Sequence, residues 1–258
     1  MLLHDAASLP SKPVRIISLV PSVTELLHHL GLENEVTAIT RFCIHPAGWF
    51  RSKTKIGGTK NLNIKRIKEL EPDLIIANKE ENEKEQIEEL TRDFNVWVTN
   101  VHDYSSALLM IKDIGILTGT ITAAKKIVSD IQKEFGRMSI KEPMVKTAYL
   151  VWRHPYMAAG GDTFISDILL HAGLKNVFAG RTRYPKLTAE DIINSGCQLI
   201  ILPSEPYPFK EKHMAELQPL MPGVAIILAD GEMFSWYGSR MLQMPQYLLS
   251  LLKNIKSE

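Results

Sequence analysis

The sequence predicts an α/β protein of two βα lobes, each with a central and mostly parallel sheet, joined by one long backbone helix. Short apolar runs alternate with segments of helical periodicity in both halves of the chain, which is typical of βαβ units. These runs are almost continuously apolar, as expected for strands buried on both faces. A proline-free stretch with one apolar helical face, residues 105–138, separates the two halves.

Composition is that of a soluble globular chain. The 258 residues include 30 basic and 29 acidic side chains, with 45% hydrophobic and 23% charged residues. This length suits one large domain or two lobes of about 120 residues each. The near-neutral balance gives no footprint for nucleic acid or an anionic membrane. The longest apolar candidate, 217–229, is interrupted by Pro219 and Pro222, so we expect no transmembrane segment.

The N-terminal residues and the cysteines bear on the cellular compartment. Residues Met1–Ser11 have neither a basic start nor an apolar core, so they do not form a secretory signal. A cytoplasmic protein and a chain whose leader is missing both fit this observation. Cys43 and Cys197 lack the spacing of a disulfide framework or a metal site, and we expect free thiols.

Secondary structure follows from the same periodicities. Strands are predicted at Val14–Val20, Val36–Thr40, Asp73–Ala77, Asn95–Thr99, Val145–Val151, Gln198–Leu202 and Val224–Ala229. Helices are predicted at Ser22–Leu30, Ile64–Leu70, Asn82–Arg92, Thr163–Ala172, Ala189–Asn194 and Arg240–Leu252. The expected organisation is an N-terminal lobe over 14–104, a linking helix over 105–138 and a C-terminal lobe over 143–258.

The linking stretch admits two interpretations. One continuous helix over 105–138 would be about 50 Å long and would act as a stiff spine. Gly115 and Gly119 could instead divide it into two helices with a kink at Gly119, at a cost of about 1 kcal/mol each against alanine. We expect the single helix, because the apolar stripe stays in phase across both glycines.

The loops that follow the predicted strands carry the candidate binding residues, since ligands of parallel sheets bind at the carboxyl ends of strands. Aromatic side chains concentrate in three such loops of the second half, 152–156, 203–209 and 230–240, and the loop 41–50 of the first half carries Phe42 and Trp49. Proline and glycine interrupt these loops, which makes burial harder to arrange, although any one aromatic can equally be a core residue. Together they predict a binding wall for a large, flat or hydrophobic small molecule.

The expected ligand contacts combine these aromatics with two cationic anchors. The aromatic set derived from the loops is Phe42, Trp152, Tyr207, Phe209, Trp236 and Tyr237. Arg153 and Arg240 would hold carboxyl, amide or phosphate groups of the ligand through charge-assisted hydrogen bonds. His45 shares its loop with Cys43, and the pair could form a nucleophile or a metal site, although a structural loop histidine is the expected interpretation. A separate alternative is that His45 is an axial ligand to a bound metal chelate.

Enzyme motifs do not occur in the chain. It contains no GxSxG, HExxH, P-loop or GxGxxG pattern. We therefore predict no catalytic residue, no protein-bound metal and no intrinsic cofactor.

Three segments, taken in order, resemble a known family. They are RIISLVPSVTELLHHLG (15–31), NIKRIKELEPDLIIA (63–77) and GGDTFISDILLHAGLKNVF (160–178), the last followed by RYPKLTAEDI (183–192). The sequence is similar to class III substrate-binding proteins of ABC importers, the helical-backbone metal receptors, and most similar to their cobalamin-binding branch. The resemblance implies two lobes joined by a rigid helix, a metal chelate held in the cleft between them, no catalysis, a permease partner and a periplasmic or cell-surface location.

The resemblance also assigns individual residues. Phe42 and Tyr184 match aromatics that line the corrinoid site, and Trp152 lies near a third. Two tryptophans of the cobalamin branch fall at Thr59 and Asn78, which leaves a siderophore or haem as alternative ligands.

Docking to a permease is implied through one acidic residue on each lobe. Glu190 matches the C-terminal one. At the N-terminal position Lys65 reverses the charge, and Glu69 or Glu71 could take its place.

Two rival functions remain open. One is a chelatase-like enzyme that inserts a metal into a tetrapyrrole, with His102 and Asp103 as the reacting pair. Neighbouring residues on a strand point apart, which weakens that interpretation. The other is a cytoplasmic corrinoid carrier or sensor that works without a permease, as the missing leader and Lys65 would allow.

Overall fold

The computed structural model describes residues 1–9, 11–138 and 144–255. The chain divides into two compact units. The first unit comprises Met1–Val101, Ser105–Asp130 and Trp236–Arg240. The second comprises His102–Tyr104, Ile131–Ser235 and Met241–Glu258. The expected limits of the C-terminal lobe, 143 and 258, lie outside the described residues.

The first unit is built on a parallel sheet. Its strands are β1 (Leu2–Leu3), β2 (Ile16–Ser18), β3 (Val36–Ile39), β4 (Thr54–Lys55), β5 (Leu74–Asn78) and β6 (Val96–Thr99). They pair in the order β1-β6-β5-β2-β3-β4. All residues of β2 and β5 are buried, which explains why these strands read as continuous apolar runs.

Helices connect the strands of this sheet. They are α1 (Pro21–His29), α2 (Ala47–Ser52), α3 (Ile64–Glu69), α4 (Lys84–Leu90) and α5 (Tyr104–Leu117), with α6 (Ile121–Phe135) following. Pro21 opens α1, where its fixed φ suits the first helical turn. Val23, Leu26 and Leu27 then bury one face of the helix. The start of α1 therefore lies at the carboxyl end of β2, which is a central strand of the sheet.

The second unit has a mixed sheet with a parallel centre. Its strands are β7 (Val145–Trp152), β8 (Tyr156–Ala158), β9 (Leu174–Asn176), β10 (Lys186–Leu187), β11 (Leu199–Pro203) and β12 (Ala225–Ala229). The order is β10-β8-β7-β11-β12, with β9 also paired to β7. Strand β8 is antiparallel to both β7 and β10, whereas β7, β9, β11 and β12 run parallel.

The helices of the second unit cover this sheet. They are α7 (Phe164–His171), α8 (Ala189–Ile193), α9 (Glu211–Leu217), α10 (Glu232–Ser235) and α11 (Met244–Ile255). A buried cluster on one face of the sheet contains Leu150, Ile200, Leu202 and Phe209. Tyr149 points to the opposite face, where its ring packs 5.1 Å from that of Phe234.

The α/β fold class and the seven predicted strands are confirmed, with ends that differ by a residue or two. The strands that sequence periodicity missed, β1, β4, β8, β9 and β10, have two or three residues each and are too short to show a period. The predicted helix 240–252 begins later, at Met244, after a 3₁₀ turn over Ser239–Leu242. No helix within the described ranges combines the length and apolar character needed to cross a bilayer.

The single helix expected over 105–138 is wrong: α5 ends at Leu117 and α6 begins at Ile121. Gly119 has φ +68°, a left-handed conformation that glycine adopts without strain. The Thr120 amide donates to the Gly115 carbonyl at 2.8 Å, and the Gly119 amide donates to the Ile116 carbonyl at 3.2 Å. These two bonds form the Schellman motif that ends a helix.

The two helices also pack closely where they meet. A Cβ built on Gly115 would lie 2.4 Å from the Cβ of Ala124, so only glycine permits this approach. The apolar stripe stayed in phase because both helices are amphipathic: Ile114 and Leu117 are buried in α5, and Val128 and Ile131 in α6. The division between the two units falls within α6, after Asp130.

Candidate functional site

The loop after β3 is fixed by a buried cysteine. The Cys43 thiol accepts a hydrogen bond from the Thr24 hydroxyl at 3.1 Å and lies 3.2 Å from the Thr40 hydroxyl. Burial is the main cause that raises the pKa of Cys43, which keeps the thiol protonated and unreactive. Cys43 and Cys197 are both buried free thiols, as predicted. Cys43 is thus an anchor of the loop and not a nucleophile.

Because Cys43 points inward, its neighbours point outward. Phe42 is 53% exposed, a large fraction for a phenylalanine that is held in place. Its amide donates to the Thr40 hydroxyl at 3.3 Å, and the Arg41 guanidinium carbon lies 5.8 Å from its ring centroid. A Cβ on Gly58 would come within 3.1 Å of the Phe42 ring, so this glycine makes room for the pair. Phe42 and Arg41 present a ring and a cation at the carboxyl end of β3.

His45 follows on the same loop and is half-buried. Its ring lies 5.5 Å from the Trp236 ring in an edge-to-face arrangement. This contact, between two residues of the first unit, positions the imidazole. Within the described residues no group of three or more histidine, cysteine or acidic side chains is arranged to hold a metal ion.

The segment 236–240, which carries the predicted ligand contacts Trp236 and Tyr237, is packed into the first unit. Both side chains are buried. The Tyr237 hydroxyl hydrogen-bonds to Ser22 and Thr99, and burial raises its pKa well above the ordinary tyrosine range. Gly238 has φ +92°, and a Cβ there would touch the Leu26 side chain at 3.4 Å. The aromatics of this segment therefore have a structural role in the first unit, and their contact with a ligand stays a prediction.

Arg240 is also engaged within the first unit. Its Nε donates to Glu25 Oε2 at 3.0 Å, and its Nη2 lies 3.0 Å from Glu25 Oε1. Both side chains are 9% exposed, and the guanidinium lies 5.2 Å from the Trp236 ring centroid. The charge of Arg240 is thus matched by a buried carboxylate of α1. The expected role of Arg240 as a ligand anchor stays a prediction.

Thr59 and Asn78, at the positions of two cobalamin-branch tryptophans, belong to a polar network of the first unit. The Asn78 amide side chain donates to the Thr99 carbonyl and hydroxyl at 3.1 and 3.0 Å. The Asn82 side chain donates to the Thr59 carbonyl at 3.0 Å and accepts from the Asn78 backbone amide at 2.8 Å. These residues are buried and hydrogen-bonded, so they shape the loops and offer no flat apolar surface.

In the second unit, Trp152 is the exposed member of an aromatic cluster at the carboxyl end of β7. It is 42% exposed, and its ring lies 5.5 Å from that of Tyr207. Tyr207 in turn packs 4.7 Å from Phe209. Phe209 is buried in the hydrophobic core, and its expected role as a ligand contact stays a prediction. Tyr207 is half-buried and packs against the Trp152 ring.

The Arg153 guanidinium is engaged by groups of its own unit. Its Nη2 lies 2.5 Å from Glu216 Oε2, and it hydrogen-bonds to the hydroxyls of Tyr207 and Tyr156. These contacts anchor the guanidinium in its own unit, while the buried Nε of Arg153 has no hydrogen-bond partner among the described residues. Arg153 therefore holds the tyrosines in place, and its expected role as a ligand anchor stays a prediction.

Tyr184 is half-buried on a loop that lies against the backbone of Gly160 and Gly161. The amides of Gly160 and Gly161 donate to the carbonyls of Arg183 and Arg181 at 2.7 and 2.8 Å. A Cβ on Gly160 would lie 2.4 Å from the Arg181 carbonyl oxygen. The glycine pair of the GGDT segment is thus required for the close approach that positions Tyr184.

Glu190 is exposed on α8, as a docking residue requires. The helix begins at a Thr188–Asp191 capping box, in which each side chain bonds the other's backbone amide. A depression of about 460 Å³ beside Glu190 is lined by Phe178, Arg181 and Asn194, among others.

The N-terminal docking position differs in charge. Lys65 is exposed on α3. Glu69 pairs with Arg66 at 3.0 Å, and Glu71 pairs with Arg15 at 3.3 Å. Both acids that could replace Lys65 in docking are therefore already matched by arginines.

The pair proposed for a chelatase, His102 and Asp103, does lie in contact. His102 Nε2 is 3.4 Å from Asp103 Oδ2, with both side chains more than a third exposed. Solvent screens the electrostatic interaction within such an exposed pair.

Three residues that shape the site were missed from sequence. Arg41 is adjacent to a predicted contact, and its neighbour Phe42 was the available signal. Glu25 and Glu216 are matched to arginines, and Glu25 lies 215 residues from Arg240. No local pattern marks a pairing across that distance.

Two α/β units with ring-bearing side chains at the ends of parallel strands define a small-molecule binding protein of the open-sheet type. The chain belongs to the periplasmic binding protein family, whose model matches residues 16–216.

Similar proteins are found by sequence and by structure. A vitamin B12-binding protein of Pectobacterium atrosepticum is 23% identical over 95% of this chain and 90% of its own. A haem-binding protein of Vibrio cholerae has a TM-score of 0.78 at 23% identity, covering 93% of this chain and 98% of its own. An Fe³⁺-hydroxamate transport protein of Saccharomonospora viridis has a TM-score of 0.75 at 15% identity, covering 97% and 98%. These two structures support the fold alone.

Proposed function

We propose that the protein is the substrate-binding component of an ABC importer and that it binds cobalamin or a related metal chelate without catalysing a reaction. The family match and the vitamin B12-binding relative support this proposal. The partners would be a permease and its ATPase, and the location would be the periplasm or the cell surface.

The observation that carries the proposal is the exposure of Phe42 and Trp152. Each is an exposed ring at the carboxyl end of a parallel strand, held in place by neighbours of its own unit. Leaving such rings in water costs about 25 cal/mol for each Å² of apolar surface, which a flat apolar ligand face would recover. A corrinoid or porphyrin ring offers that kind of face.

Arg41 favours a second candidate, a haem or a ferric siderophore with acidic groups. In the part of the chain that the structure describes, the Arg41 guanidinium contacts the Phe42 ring and is matched by no carboxylate. It is therefore suited to a carboxylate on the ligand. Thr59 and Asn78 also favour a haem or siderophore, because they form a hydrogen-bonded network at positions where the cobalamin branch has tryptophan rings.

Titration with three chelates tests the proposal. Purified protein is titrated with cyanocobalamin, haemin and a ferric hydroxamate, and tryptophan fluorescence and ligand absorbance are followed. Sub-micromolar binding of one chelate, worth more than about 8 kcal/mol, supports the proposal. Absence of binding by all three refutes it. Metal insertion into a free porphyrin by the protein would assign catalysis instead.

Variants then locate the bound ligand. Phe42→Ala and Trp152→Ala should each weaken binding at least about tenfold, a loss of about 1.4 kcal/mol. Phe50→Ala is the matched control, because Phe50 is also an exposed phenylalanine of the segment after β3 but is covered by Lys55. Arg41→Gln should weaken haemin more than cyanocobalamin. If Phe50→Ala is as damaging as Phe42→Ala, the assigned contacts are wrong.

A further inference from the structure

His213 is a buried histidine that the ligand contacts do not use. It is the third residue of α9 and 3% exposed. Its ring lies 5.4 Å from the Tyr207 ring and 5.5 Å from the Phe209 ring. The imidazole is thus packed behind the cluster that carries Trp152.

The hydrogen bonds of His213 define its protonation state. Nδ1 accepts from the backbone amide of Lys210 at 2.9 Å, at the start of α9. An accepting nitrogen carries no proton, so the proton of the neutral ring is on Nε2. Nε2 lies 3.4 Å from the Tyr207 hydroxyl, which can accept it. A second proton on Nδ1 would face the Lys210 amide and break the bond that begins the helix.

Tyr207 contacts both His213 and Trp152. Its hydroxyl meets His213 on one side and the Arg153 guanidinium on another. Its ring holds the Trp152 ring at 5.5 Å. Displacement of the His213 ring would therefore remove support from the exposed Trp152.

Charged groups from two elements surround the imidazole. Lys210 and Lys212 belong to α9 and its start, Arg153 comes from the end of β7, and Glu216 of α9 opposes them. Burial, followed by the charges of Lys212 and Arg153, lowers the pKa of His213. Protonation would place a further positive charge in a site already rich in cations.

We propose that His213 is a positioning residue that supports the Tyr207–Trp152 pair only while its imidazole is neutral, so that acidification releases Trp152. The effect on ligand binding rests on the proposed function, whereas the movement of Trp152 does not.

The sign of the pH dependence follows from linkage. The unfolded chain has an ordinary histidine pKa of 6.5, and the pKa of His213 in the folded protein is lower. The unfolded state therefore binds more protons, and stability is lost as the pH falls below 6.5 towards the lowered pKa. Above 6.5 the contribution of neutral His213 is complete.

The test uses His213→Gln. Glutamine is a natural partner at the third position of a capping box, so its side-chain oxygen can accept the Lys210 amide. It does not titrate. His213→Ala removes both the acceptor and the titration, and His171→Gln is the control for an unrelated partly buried histidine.

Trp152 fluorescence of the ligand-free protein is measured from about pH 8 to about pH 5, after subtraction of the Trp152→Phe spectrum, because the chain has 4 tryptophans. Wild type and His171→Gln should show a red shift on acidification, His213→Gln should show none, and His213→Ala should be shifted throughout. Identical titration of wild type and His213→Gln would overturn the proposal, as would a wild-type signal that does not change.

A second measurement follows the affinity for whichever chelate binds in the titration above. The affinity of wild type should fall at least about threefold between about pH 7.5 and about pH 5. The affinity of His213→Gln should fall by less than about 1.5-fold over the same range. An equal loss in both would overturn the link to ligand binding. Because the fluorescence experiment needs no ligand, failure of the proposed chelate and failure of the His213 role give different results.

Discussion

Replacement of Arg240 by methionine tests whether this residue is part of the structure, as its contacts indicate, or a ligand anchor. The Glu25 carboxylate would lose both of its 3.0 Å contacts while remaining 9% exposed. Removing one partner of a buried ion pair costs about 3–5 kcal/mol, because it leaves an uncompensated charge. The cation–π contact with Trp236 adds about 0.5–1 kcal/mol. We expect Arg240→Met to lose at least about 3 kcal/mol of unfolding free energy.

The measurement is urea and thermal denaturation of ligand-free protein. A loss of about 3 kcal/mol corresponds to a fall in Tm of about 6–12 °C for a protein of this size. Arg66→Met is the matched control, because Arg66 pairs with Glu69 at the same 3.0 Å but with side chains 47% and 46% exposed. Such an exposed pair contributes at most about 1 kcal/mol.

A double variant distinguishes pairing from packing. Glu25→Met with Arg240→Met removes both charges, and it should be more stable than Arg240→Met alone. If Arg240→Met costs no more than Arg66→Met, the buried pair contributes nothing and the reasoning is refuted. If the single variant is stable but binds chelates weakly, Arg240 is a ligand anchor after all.

Three further predictions concern packing, the thiols and docking. Gly115→Ala should lose about 1–3 kcal/mol in urea denaturation, since its Cβ would meet Ala124, whereas Gly180→Ala, with open space around it, should not. Neither buried cysteine should react with Ellman's reagent in the native protein at neutral pH, and burial also raises the pKa of Cys43. Both cysteines should react in urea. Fast labelling of the native protein would contradict this prediction. Glu190→Lys should weaken co-purification with a permease without changing chelate affinity, and unchanged co-purification would exclude this exposed residue from docking.

Local patterns in the sequence were sufficient for seven of the strands and for the loops in which the exposed rings stand. Strands such as β5 are buried on both faces, so their apolar runs could be read directly. The loops after β3 and β7 were recognised because ring-bearing residues stand there among prolines and glycines. Phe42 and Trp152 are exposed in those loops, as a binding wall requires.

The sequence could not separate the exposed rings from the buried ones. Phe209 and Trp236 stand, like Phe42, in loops that contain proline or glycine, yet they are buried. The break at Gly119 was visible as a glycine, but the left-handed turn that ends α5 depends on hydrogen bonds that form only when both helices are in place.

By itself, the sequence determined the α/β class, seven of the strands and the family of this protein, because strand burial and helix periodicity are local properties of the chain. Only the tertiary structure decided which arginine side chains are paired with a carboxylate. Arg240 is matched by Glu25 and Arg153 by Glu216, while Arg41 keeps its guanidinium beside an exposed ring. A charge buried without a partner is too costly to persist, and folding alone determines which carboxylate reaches which cation.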